Sequence, residues 1–104
     1  MIMQFQRFGK ILATRPLGRQ VRSEIINELR KNDVIIFDLE GVDTVSNSFA
    51  DECFAKLLSE MDLSTLKRRT TFRNASPFIK GVITYAIKEG LASQSEHSSY
   101  KAAA

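Results

Sequence analysis

A chain of 104 residues, 43% hydrophobic and 26% charged, has room for one domain with an ordinary small core, and it has little stability to spare. None of its apolar stretches approaches the roughly 20 residues of a membrane span, and the start MIMQFQRFGK lacks the apolar segment of a signal peptide, so the expected compartment is the cytoplasm. The net charge of +3 conceals a segregation: residues 1–31 sum to +5, residues 32–63 to −7 and residues 64–104 to +5, a pattern that leans towards a protein partner rather than a nucleic acid.

In chain order, Ile2 to Phe8 alternates loosely and ILAT follows after Gly9, which suggests a hairpin of two modest strands. From Pro16 to Lys31 the residues Leu17, Val21, Ile25 and Leu29 recur every four positions, with Ile26 beside them, and predict an amphipathic helix. Val34 to Leu39, opening on the continuous apolar run VIIF, is short enough for a strand covered on both faces by helices. Ser48 to Met61 carries a second helical stripe through Phe49, Cys53 and Leu57; Cys53 and Met61 read as core residues.

After the polar segment LSTLKRR, TTFRN reads as a strand. NASPFIKGVITYAIKEG then supplies a complete set of helix signals, with Ser76 as N-cap, Pro77 in the first turn and Gly90 as stop. The small and polar residues from Ala92 onward predict a flexible tail over 92–104 after one domain over 1–91. The order is thus β-β-α-β-α-β-α, an α/β fold with a small mixed sheet and about three helices.

The chemistry-bearing residues are sparse. No GxxxxGK[ST] or GxGxxG loop is present, the one histidine, His97, sits in the expected tail, and Cys53 is the one cysteine. The reading is therefore of a protein that is not an enzyme and needs neither metal nor cofactor.

Two segments, VIIFDLEGVDTVSNSFADECFAKLL and TFRNASPFIKGVITYAI, resemble the STAS-like domains of unknown function, relatives of the sulfate-transporter and anti-sigma-factor-antagonist domain. The resemblance spans Val34 to Ile87, and D-L-E-G-V, S-x-S-F-A-D-E and N-A-S-P-F are its most specific parts. In antagonist proteins a strand ending in D-L-x-x-V leads to a D-S-S-G-L loop, whose second serine is phosphorylated by a partner kinase. Asp38, Leu39 and Val42 match that pattern, and Ser48 takes the place of the second serine. Ser46, Asn47, Phe49 and Ala50 replace the Asp, Ser, Gly and Leu of the loop.

The resemblance implies a regulatory module whose partner is a regulatory protein, such as a histidine-kinase-like ATPase acting as a serine kinase. Its contact surface would comprise Thr44, Ser46, Asn47, Phe49, Asp51 and Glu52, with Asp51 and Glu52 open to solvent. Ser48 has a plainer reading as the N-cap of the second helix, with Asp51 favouring the positive helix end. Arg15, Arg19 and Arg22 share one side of the first helix and read first as a solvated face. The functional alternative is a nucleic-acid or small-anion site formed by these arginines and the Lys67 to Arg69 run.

Overall fold

The computed structural model describes the backbone of residues 1–103 and the side chains of residues 1–93. The apolar run that precedes the acidic stretch forms β3 (Ile35–Asp38), the centre of a three-stranded sheet between β1 (Ile2–Gln4) and β5 (Thr70–Arg73). Both pairings are parallel, with Met3, Phe37 and Phe72 side by side in register. A parallel pair needs a long crossover. Here the first crossover carries α1 (Arg15–Leu29), and the second carries α2 (Asn47–Cys53) and α3 (Leu63–Arg69). A last helix, α4 (Pro77–Ala103), follows β5.

The expected hairpin at the start does not form. Phe5–Phe8 turn as a 3-10 helix, and β2 (Ile11–Leu12) pairs in parallel with β4 (Thr44–Val45) in a separate small sheet. The sheet is therefore parallel rather than mixed, and the described residues form four α-helices rather than three. The extra helix, α3, came from the polar segment LSTLKRR. Its periodicity is faint because Leu66 is its one buried residue, and the Asp62 carboxylate starts it by accepting from the Thr65 amide at 2.7 Å.

Helix α2 is shorter than the stripe over Ser48 to Met61 suggested. After Cys53 the chain tightens into a 3-10 stretch, Ala55–Ser59, which buries Ala55, Leu57 and Leu58 in close succession. Gly90 does not stop α4 either: a Cβ there would lie 3.1 Å from that of Ala55, so the glycine serves a close approach. Most of the expected tail over 92–104, His97 included, lies outside the residues with described side chains.

Phe37 and Phe72 turn one face of the sheet towards Phe54 and Phe5, whose ring centroids lie 5.2 to 5.6 Å from their neighbours within this group. The opposite face carries Ile2, Ile36 and Thr71, and only Ile36 is half-buried. Coverage by helices on both faces, expected from the apolar run, is not found among the described residues. Ile36 is shielded by its neighbours in register, Ile2 and Thr71, and a continuous apolar run cannot by itself tell that arrangement from a helix lying above. No described helix is long and apolar enough to cross a membrane.

Helices α1 and α2 meet closely at Gly18. A Cβ at this position would stand 2.8 Å from the Glu52 Cβ and 3.0 Å from the Phe49 carbonyl oxygen. Substitution Gly18→Ala should improve the intrinsic helix preference of α1 yet destabilise the protein by about 1–2 kcal/mol in urea melts, because overpacking at this contact outweighs the gain. A variant as stable as the wild type would show that the two helices part at little cost.

Candidate functional site

The turn Leu39–Val42, closed by the Val42 amide bonding to the Leu39 carbonyl at 3.0 Å, needs a positive φ at its third residue, and Gly41 supplies it at 80°. It carries the chain from β3 to β4 and on to α2, so that the D-L-E-G-V and S-x-S-F-A-D-E segments lie on consecutive elements. The third segment, N-A-S-P-F, returns to the first. Asn74 adopts a left-handed φ of 59°, donates its amide to Asp38 at 3.0 Å, and leaves Ser76 to cap α4 by accepting from the Ile79 amide. Asp38, buried at the end of the central strand, also accepts from the Glu40 amide and from Arg73, both at 3.0 Å. Asn74, the Glu40 amide and Arg73, in that order, hold its carboxyl below the usual carboxylate range.

The second cluster lies at the α1–α2 contact. Glu52 is only 3% exposed, and four cations reach its carboxylate: Lys56 at 2.8 Å, Arg15 and Arg22 at 3.3 Å, and Arg19 at 4.0 Å. Arg22 also donates to the Glu52 carbonyl oxygen, and Arg15 bridges to Asp51 at 2.8 Å. The hydrogen bond from Lys56, aided by Arg15 and Arg22, holds the Glu52 carboxyl at about 2 against an ordinary 4.5, although burial pulls the other way. Two acids face four cations, which leaves a local excess of positive charge in a region where sequence counting finds the most acidic third of the chain.

These contacts revise several expectations. Glu52 is not open to solvent, because its carboxylate is turned into the α1–α2 contact, where the arginines neutralise it. Phe49 is fully buried and packs on Phe54, so it supports the surface from below and presents no side chain to a partner. Arg15 and Arg19 are exposed, as a solvated face would be, and with Arg22 they are also the counter-charges of Asp51 and Glu52, which weakens the case for them as a free anion site. Arg69, at the end of the basic run, is likewise occupied, donating to the carbonyls of Leu29, Asn32 and Asp33 at the end of α1. The charge segregation along the chain is thus met in part within the fold.

Ser48 is not the cap of α2. That role belongs to Ser46, whose hydroxyl accepts from the Phe49 amide at 3.0 Å and donates to the Ala13 carbonyl at 2.6 Å. Thr44 is half-buried in β4, and Asn47 is exposed. Ser48 is likewise half-buried, and it lines a shallow depression of about 190 Å³ with Asn47, Arg15, Asp51, Tyr85 and Glu89. Tyr85 of α4 is a residue that the sequence reading passed over. It is 58% exposed, and Phe78, seven residues earlier and so on the same side of the helix, is 64% exposed. Position in a helical stripe could not single them out, since both belong to a helix that is apolar on several sides.

Two outcomes follow for substitutions. Ser46→Ala should cost about 1–2 kcal/mol of stability, while Ser48→Ala should stay within about 0.5 kcal/mol of wild type; the reverse order would return the cap to Ser48. For Glu52 the folded-state pKa lies below the unfolded one, so its contribution is fully present above about pH 5 and is lost as the pH falls towards 2. A depression of this size corresponds to at most about 3 kcal/mol, reduced to about 1–2 kcal/mol because Lys56 and Arg15 stand half in water. The stability gap between wild type and Glu52→Gln, measured in urea at stepped pH, should narrow over that range. A gap that ignores pH would mean that Glu52 acts through packing alone.

Comparison with known proteins is consistent with this arrangement of segments. A family model for a STAS-like domain of unknown function matches residues 18–80, from the α1–α2 contact glycine to the first turn of α4, and so takes in Asp38, Ser46, Ser48, Glu52 and Asn74. Neither the curated proteins nor the solved structures give a match. With more than half of its length matched, the chain belongs to the family of STAS-like domains of unknown function.

Proposed function

We propose that this protein is a non-catalytic regulatory module that docks a protein partner on the surface formed by the start of α2 and the adjoining side of α4, and that phosphorylation of Ser48 switches the docking. The observation that carries this reading is the position of Ser48: a partly buried serine relieved of capping by Ser46, in a depression that it shares with Arg15, the acids Asp51 and Glu89, and the exposed Tyr85. Exposed aromatic residues and arginines are the side chains that most often anchor a partner, and Tyr85, Phe78 and Arg15 supply them here.

The charge balance gives the switch a mechanism. Arg15 is held by Asp51 at 2.8 Å at the surface, and a phosphate on Ser48, carrying about −1.5 to −2 charge near neutral pH, competes for the same guanidinium. Because Asp51 and Glu52 are already faced by cations, the repulsion that a phosphate would meet from them is offset, and Glu89, which lines the same depression, remains as an opposing charge. The fold keeps its stability, and the surface changes sign where a partner would read it. The partner best suited to this chemistry is an ATP-dependent serine kinase of the histidine-kinase-like superfold, a partner class that comes from the family resemblance.

Intact-mass measurement and peptide mapping of the protein isolated from its native cells provide the test. The expected result is a phosphatase-sensitive fraction that carries one phosphate on Ser48 and is lost in Ser48→Ala. Phosphate found on Thr44 or Ser46 instead, or none under any growth condition, would overturn the switch. Tyr85→Ala, which leaves Ser48 intact, should weaken capture of the native partner about tenfold or more if the aromatic anchor holds.

A further inference from the structure

On the other side of α4 the structure contains a second feature, unconnected with Ser48. A groove of about 430 Å³ opens between α3 and β5 on one side and the Thr84 to Leu91 stretch of α4 on the other. This volume falls within the roughly 300–1,000 Å³ of small-molecule sites. Phe37, Phe54 and Leu57 form its inner wall, and the half-buried ring of Phe72 borders it. Among the described residues, the charged ones that line it are two lysines, Lys67 from the last turn of α3 and Lys88 from α4. Among the described residues neither forms an ion pair.

The chemistry of the lining is therefore one-sided. Aromatic and aliphatic walls favour an apolar body and give water few partners. Two ammonium groups, unpaired among the described residues, favour an anion, and Thr84 lines the groove with them. A neutral apolar ligand would leave the lysines without a role, and a cation would be repelled by them. A phosphate-rich ligand would waste the apolar wall. We infer that this groove is a binding site for a small organic carboxylate with an apolar body, its carboxylate held between Lys67 and Lys88 and its body laid against Phe72 and Phe54.

Decanoate, titrated into the protein by calorimetry at low ionic strength, is a direct probe. Wild type should bind it saturably at one site per chain. The double substitution K67E/K88E, at two exposed positions that leave the apolar wall intact, should weaken binding at least tenfold, and Thr84→Trp, which fills the mouth from an exposed position, should abolish it. Circular dichroism would confirm that both variants remain folded. Decyltrimethylammonium, with the same chain and the opposite charge, should not bind saturably.

Absence of saturable decanoate binding up to millimolar concentration would overturn the inference. So would equal binding of the cation and the anion, or undiminished binding by either variant. A concentration-dependent dimer that Thr84→Trp dissolves and that excludes decanoate would assign the groove to a second copy of the chain and would equally overturn it.

Discussion

Glu52 keeps a negative charge at the contact of two helices, and much of the surrounding arrangement serves that charge. A carboxylate taken out of water is costly unless cations and hydrogen bonds surround it, and α1 brings three arginines to it on successive turns. They reach it only because the helices approach closely, and Gly18 permits that approach by having no side chain where Glu52 and Phe49 pass. The contact also fixes the direction in which α2 leaves β4. Ser46 completes it by tying the start of α2 to the Ala13 carbonyl just before α1. Charge, glycine and cap are thus parts of one joint, and Ser48 at its edge takes its position from them.

A second joint lies at the far end of the central strand, where Asp38 gathers a backbone amide, Arg73 and Asn74. It ties the end of β3 to the exit from β5, so that the turn into α4 is set by a side chain more than thirty residues away. The two joints divide the work. One holds the helices to each other, and the other holds the sheet to the last helix. No described buried side-chain polar atom is left without a partner, which suits a small core with little stability to lose.

How much of this could be read beforehand differs from element to element. The helix over Arg15–Leu29 and the start of α4 were plain, because four-residue spacing and the Ser76-Pro77 pair are local signals. The parallel pairing of β1 with β3 was not, since two short strands separated by a glycine look like a hairpin until a distant strand competes for them. At the site, Ser48 and Asp51 stand out through resemblance, whereas the sequence alone suggests Glu52 as a surface acid: adjacent acids on a helix point apart, and only the neighbouring helix decides which one is buried. The sequence suggests Ser48 as the cap; Ser46 takes that role in the fold, its hydroxyl also anchored on the carbonyl of Ala13. The arginine stripe carried its own clue, three cations on one helix face opposite an acidic segment, but the sequence did not say whether the acids belonged to this chain or to another.

The all-parallel sheet has a consequence for how the chain reaches this state. Each strand pairing joins residues about 35 positions apart, as Ile2 to Ile36 and Ile35 to Thr70 do, and among the described residues there is no hairpin from which pairing can spread. Loop closure must come before any sheet contact contributes, which places such a topology among the slower folders for its size and makes preformed helices the natural starting points. Helix α1, capped by Thr14 and held at its far end by Arg69, is well suited to begin. Because Arg69 comes from just ahead of β5, the C-terminal half of the domain must arrive before α1 is fully secured, and nascent chains that end short of Thr70 would expose β3 along one whole edge.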